Sequence, residues 1–416
     1  MAGIKNMDMA KVLVLKDEVV YQPGQVVSKT LAQNEHLSVT LFAFDKGEEI
    51  STHESGGDAF VTCLDGVGKI TIDGVDYELH EGESIVMPAK HPHAVFGKEQ
   101  FKMLLVVVFL LRRFTMPFQY KVSEDKKVRV IIDTDAACEA DDPFAIAHAL
   151  MCQKFDVRAI FAEQFNREGS TRQSYEEILT VLRAMKKEVP VFMGEETKIS
   201  EKKQGEEVSP AADFLIEEAM RVDEKPLFVL CIGAITNVAS AMMKKKEIAK
   251  HMTIVWIGGQ GHAYSTPEVR EFNAGNDVEA INYVLNSGVN FWQIPNDVYG
   301  KMRISLAEIE RRIAPCGEIG RHLFENMETY NHSEHAGWTA GESWTLGDSP
   351  AVGVVLDPDC GFYHETEAPI VLDDTTNKFE KGRPKIRVYT SVDSRFILED
   401  FIAKLEVLYG KGFDTK

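Results

Sequence analysis

Near Lys127 the period of the apolar pattern changes, and that change requires the chain to fold as two unlike halves. From about Val26 to Leu111 the apolar residues come in short β-rich runs, LSVTLFAF, AFVTCL, KITIDG, YELHEG, SIVMP and MLLVVVFLL. Turn pairs such as Asp65-Gly66 and Asp73-Gly74 break these runs at the close spacing of an antiparallel barrel or sandwich. After Lys127 the runs become continuous strands, VRVIIDTD, VRAIFAEQ, VPVFMG, LFVLCIG and TIVWIGG. Between them lie helical patterns, DDPFAIAHALM, SYEEILTVLRAM, AADFLIEEAMRV and TNVASAMMKK. Strands buried on both faces and alternating with helices imply a mostly parallel sheet. A length of 416 residues also exceeds what one core usually serves. The expected boundaries are an all-β domain over 1–112, a linker over 113–127 around the charged run EDKK, and an α/β domain over 128–416.

Charge and cysteine usage narrow the function. With Lys plus Arg at 46 and Asp plus Glu at 65, the net charge is −19, a field that repels nucleic-acid phosphates and anionic membranes. MLLVVVFLL is too short to span a bilayer, which takes about 20 residues, and is expected to be a buried strand. The six cysteines show no CxxC pair, and the N-terminus lacks a secretory pattern. Both features point to a cytoplasmic protein. A symmetric homodimer or larger homo-oligomer is expected by default for an enzyme of this size.

In open parallel sheets the active site forms beyond the carboxyl ends of the strands, so the residues after each strand matter most. The first strand is followed by DTDAACEADD, with five carboxylates (Asp133, Asp135, Glu139, Asp141, Asp142) in ten positions. Helix capping accounts for one or two of them. Five so close would repel one another unless a hard cation compensates, and calcium accepts six to eight oxygen ligands. Pro143 suits the first turn of the helix that follows.

This segment resembles the signature DTDxGxDD of the inosine-uridine-type nucleoside hydrolases, here with two residues inserted and Glu139 left as an extra carboxylate. The resemblance runs over nearly all of 128–416. IGAITNVA resembles the family's GPLTNIA, EFNAGNDVEA its EFNxxxDPEA, and GDSPAVGVVLDP its HDPLAVAYLLDP. It implies a calcium ion held by Asp135, Asp142, Asp348 and the carbonyl of Ile232. Asp141 would take a proton from the attacking water, and Asp133, Asn166, Glu271 and Asn273 would serve the sugar. The implied activity is calcium-dependent hydrolysis of the N-glycosidic bond of a ribonucleoside or a related ribosyl compound. The alternative is a non-catalytic ribosyl sensor assembled through the β domain. Gly347 stands where many members carry a leaving-group histidine, which leaves His262, His332 and His335 as candidate proton donors. Trp338, Trp344, Tyr264 and Phe165 are candidates for stacking on a base, with packing as the ordinary role for each. Arg167 and Arg172 are candidate phosphate contacts.

Residues 47–94 resemble a cupin barrel. His53 and His93 fall on its ligand positions, while Ser55 replaces a second histidine and the glutamate position near Ala59 leaves only Asp58. His91 is a further candidate ligand. Catalytic metals generally want three protein ligands, so a binding or dimerisation module is expected ahead of a divalent transition-metal site.

Overall fold

The protein is represented by a computed structural model in which residues 4–33, 37–108, 118–202 and 207–410 are described. The chain divides into two units, 1–115 and 116–416. The expected linker falls partly outside the described residues. Its described end holds one 3-10 turn, Glu124–Lys126.

In the first unit seven strands form one antiparallel sheet: β1 (Val26–Gln33), β2 (Leu37–Phe44), β3 (Glu49–His53), β4 (Asp58–Ile72), β5 (Val75–His80), β6 (Ser84–Met87) and β7 (His93–Val108). The order is β1-β2-β7-β4-β5, with β3 paired to β7 and β6 to β4. Phe44, Val61, Ile70, Phe101 and Met103 form part of its core. Residues 103–108 of the apolar run lie in β7, while 109–111 fall outside the described residues. Asp73-Gly74 makes the expected two-residue hairpin, both residues at positive φ, between the paired Ile72 and Val75. Asp65-Gly66 is not a turn. It is an irregularity inside β4, where the register against β7 slips on either side of the pair. Gly66 has φ +75°, and a Cβ there would lie 1.7 Å from the Gln100 carbonyl oxygen, so the strand can bulge here only with glycine.

The second unit is built on an eight-stranded sheet. Its strands are β8 (Val128–Thr134), β9 (Phe155–Ala162), β10 (Val191–Met193), β11 (Leu227–Cys231), β12 (Met252–Ile257), β13 (Asn290–Ile294), and two later ones, Lys385–Val392 and Gly361–Glu367. The order is β10-β9-β8-β11-β12-β13, then Lys385–Val392 and Gly361–Glu367. Only the last pairing is antiparallel. Every residue of β8 is buried, as its continuous apolar run requires. Val130 and Ile132 face one core and Ile131 the other, because side chains alternate along a strand. The helices α1 (Asp142–Met151), α2 (Ser170–Met185), α3 (Pro210–Met220) and α4 (Thr236–Lys244) follow the periodic segments closely.

From β8 the chain winds outward through β9 and β10, then returns to β11 on the other side and winds through β12 and β13. The neighbours β8 and β11 therefore carry connections that part in opposite directions. Such a reversal opens a crevice beyond the carboxyl ends of the strands.

Candidate active site

The carboxyl end of β8 delivers Asp133 and Asp135, and the N-terminus of α1 delivers Asp141 and Asp142. Asp348 stands at the N-terminus of a second helix, Ser349–Leu356, also opened by a proline in its first turn. Neither Asp141 nor Asp348 makes a side-chain cap to its own helix. Capping therefore does not explain them. The Asp141 carboxylate instead accepts the backbone N–H of Gly347 at 2.9 Å, tying two segments far apart in sequence. Asp142 accepts the Thr134 hydroxyl at the end of β8.

Asp141, Asp142 and Asp348 are all buried, and each offers an oxygen within 4.8 Å of the others. Asp135 joins them on the pocket wall together with Glu139, Ile232, Glu271 and Asn273. The pocket encloses about 410 Å³ including its mouth and the open solvent there.

Burial pushes these carboxyls up, because desolvation penalises the charged form. Asp141 is raised to about 6 by burial, against the pull of backbone N–H donors including Gly347 and Asp348. Glu139 rises to about 8 through burial and the neighbouring Asp141. Asp135, Asp142 and Asp348 are held well above the usual range by burial and by the carboxylates around them. One buried oxygen of Asp135, Oδ2, has no hydrogen-bond partner. An orphaned acceptor beside crowded carboxylates fits a hard cation with oxygen ligands.

The backbone around this cluster is specialised. Ile235, just before α4, has φ +80°, an uncommon and costly conformation for a β-branched residue. It sits in the turn that follows Ile232, whose N–H donates to the Asp133 carbonyl at 2.8 Å. Gly259, at φ +76°, donates its N–H at 2.7 Å to Glu271, which lines the pocket. A Cβ at Gly259 would come within 2.5 Å of the Gln293 amide, so the IGGQG glycines permit a close approach at a strand end. Asn273 donates its side-chain amide to the Ile257 carbonyl at 2.9 Å, which leaves its oxygen free to accept.

Asp135, Asp141, Asp142, Ile232, Glu271, Asn273 and Asp348 thus meet in one pocket. Asp133 does not line it. Its buried carboxylate accepts from the Asn237 side chain at 2.8 Å. Asn237 also receives the Glu195 N–H at 2.7 Å and donates its own N–H to Glu163, so the ITN motif is a brace. Asn166 is exposed and lines a separate depression with Glu168, Glu196 and Lys198. Its place after β9, at φ +56°, carries it away from the aspartates.

None of the three candidate proton-donor histidines lines the pocket. His262 meets Gln293 at 2.9 Å, His332 meets the Glu328 carbonyl at 2.9 Å, and His335 is exposed. The aromatic candidates are also outside it. Trp344 is buried against Tyr330 and Trp338, Phe165 is buried, and Tyr264 is exposed. Arg167 and Arg172 lie over the Phe165 and Tyr175 rings, and neither lines the pocket. Tyr299 and Cys138 do line it and were not singled out from the sequence. Tyr299 follows the end of β13 by five residues, so the same strand-end rule marks it.

In the first unit His53 and His93 are paired across β3 and β7, with ring centroids 4.6 Å apart. No third ligand joins them among the described residues. Asp58 accepts the Ala89 N–H at 2.8 Å, and His91 is engaged with Asp73 at 2.6 Å.

Comparison with known proteins agrees with this architecture. The family model described as inosine-uridine preferring nucleoside hydrolase matches residues 130–399, and a cupin-domain model matches residues 40–109. The pyrimidine-specific ribonucleoside hydrolase RihA of Salmonella arizonae is 28% identical over 235 residues, covering 50% of this chain and 74% of its own. RihA of Salmonella agona is 27% identical over 285 residues, covering 62% of this chain and 88% of its own. Among solved structures, the purine-preferring ribonucleoside hydrolase of Gardnerella vaginalis is similar in fold, with TM-score 0.58, 21% identity, and coverage of 68% of this chain and 100% of that one. The plant nucleoside hydrolase PpNRh1 gives TM-score 0.54 at 20% identity, covering 68% and 99%. The chain is a nucleoside hydrolase belonging to the inosine-uridine preferring family, with a cupin domain on its amino-terminal side.

Proposed function

We propose that the pocket hydrolyses the N-glycosidic bond of a ribonucleoside, with Asp141 as the base that deprotonates the attacking water. The observation that carries this reading is the convergence of Asp141, Asp142 and Asp348 within 4.8 Å of one another, from segments about half the chain apart. Asp135, Asp142, Asp348 and the Ile232 carbonyl form an all-oxygen donor set suited to calcium. When bound, such an ion supplies charge neutralisation, a hold on sugar hydroxyls and a more acidic water.

The chain's own groups account for the rest. Asp141 is fixed by the Gly347 N–H, and burial lifts it to about 6, close to a working pH, where a general base is most effective. Asn273 offers an amide oxygen to a sugar hydroxyl, and Glu271 supports that wall by accepting the Asn273 and Ala274 N–H groups. These contacts orient the ribosyl carbon toward the water and strengthen as the ring distorts toward an oxocarbenium-like state.

The free thiols of all six cysteines suit a reducing compartment, which supports a cytoplasmic location. Within the described residues no helix is long and apolar enough to cross a membrane. A homo-oligomer is expected, and sedimentation velocity reads it directly.

The test is a reducing-sugar assay across purine and pyrimidine nucleosides, with and without a calcium chelator. Wild-type protein is expected to release sugar, chelation to abolish release, and Asp141→Ala to lower kcat by roughly 10²- to 10⁴-fold. Release that survives both treatments overturns the reading.

A further inference from the structure

Glu271 and Tyr299 share a hydrogen bond that changes which of them can greet a substrate. Glu271 Oε2 accepts two backbone N–H groups, Gly259 at 2.7 Å and Ala274 at 2.8 Å. Its Oε1 accepts the Tyr299 hydroxyl at 2.8 Å and, at a long 3.4 Å, the Asn273 N–H. An ionised carboxylate has about four acceptor sites, and here all four face protein donors. The charge of Glu271 is largely spent on the protein.

The phenol is in the opposite state. Its proton is committed to Glu271, and no donor among the described residues reaches its oxygen. Tyr299 lines the pocket beside Gly347, where a Cβ would lie 3.2 Å from the tyrosine ring and 3.1 Å from Asp141 Oδ2. The ring thus occupies the space that a side chain at 347 would need, next to the proposed base.

We infer that Tyr299 is a substrate-recognition residue of this pocket, its phenol oxygen accepting a hydrogen bond from one sugar hydroxyl while Glu271 holds its proton. This inference rests on the ribonucleoside reading above and deepens it. With its proton engaged, the tyrosine acts as an acceptor only. It favours a hydroxyl and rejects a group that can itself only accept, because two facing acceptors repel.

The experiment is a cycle of enzyme and substrate changes. Tyr299→Phe keeps the ring and removes the oxygen, and it is assayed with calcium on a parent nucleoside and its 2′-, 3′- and 5′-deoxy analogues. The parent is expected to lose about 3- to 10-fold in kcat/KM, the cost of one neutral hydrogen bond. One deoxy analogue is expected to lose nothing further, because its partner hydroxyl is already gone. An equal loss on all four substrates overturns the inference, since it makes Tyr299 only a support for Glu271. Wild-type protein gives a second readout that needs no variant. At the recognised position, fluorine in place of hydroxyl is expected to do no better than hydrogen, and recovery by fluorine overturns the inference. If wild-type protein cleaves no nucleoside, the hydrolytic reading fails separately. Calorimetric titration of the same substrates into both proteins then decides the tyrosine contact by the same criterion.

Discussion

Gly347 is a residue at which this site is tightly specified. Its N–H holds Asp141, and the space above its Cα is bounded by Asp141 and the Tyr299 ring. Gly347→Ala is therefore expected to displace one or both and to lower kcat by roughly 10-fold or more, since small misplacements near reacting atoms are costly. Steady-state kinetics beside a melting curve separates that effect from unfolding. Asp348→Asn removes one of the clustered charges. It is expected to reduce the melting-temperature rise that calcium gives wild-type protein, because ligand charge sets affinity for this ion. An unchanged calcium shift would remove Asp348 from the ligand set.

Two helix N-termini build the site, and their placement depends on anchors far from it. At the far end of α1, buried His148 meets Asp400 at 2.7 Å on the C-terminal helix Ser394–Tyr409. Lys404, also buried, donates to the same carboxylate and to the Cys152 sulfur at 3.3 Å. Burial lowers His148 against the pull of Asp400, so the ring favours its neutral form. Asp400→Ala would strand the Lys404 charge and one His148 nitrogen, at a cost of about 3 kcal/mol. The urea midpoint measures this loss. At this scale much of the fold is readable beforehand, since continuous apolar runs become β8, β11 and β12 and the periodic segments become α1 to α4. Asp65-Gly66 is a bulge rather than a turn because turns and bulges ask for the same left-handed glycine. Only the facing strand β7 distinguishes them.

Across the whole molecule, the aspartate cluster stores a conflict between folding and charge. Asp133 is raised to about 7 by burial, Glu139 to about 8, and Asp141 to about 6, all from ordinary values near 4. The folded state therefore binds more protons than the unfolded state over that interval, and stability falls as pH rises. The penalty is absent below about pH 4 and complete above about pH 8. Chelated protein is accordingly expected to lose melting temperature from pH 5 to pH 8, with calcium restoring most of it at pH 8. A chelated melting curve that rises with pH would contradict this charge balance. Residues 116–416 expressed alone are expected to keep calcium-dependent hydrolysis, because all the pocket residues lie in that unit.

The sequence by itself determined the two-part architecture, the parallel sheet and the identity of the carboxylates, because periodicity and short polar motifs are local properties. It also marked Asp348 as a distant member of the same cluster. Only the tertiary structure decided that Asp133 turns inward to Asn237, that Asn166 faces a different depression, and that Tyr299 completes the wall beside Gly347. Each of those outcomes depends on which side chain from another strand or helix fills the space opposite, and no single segment carries that information.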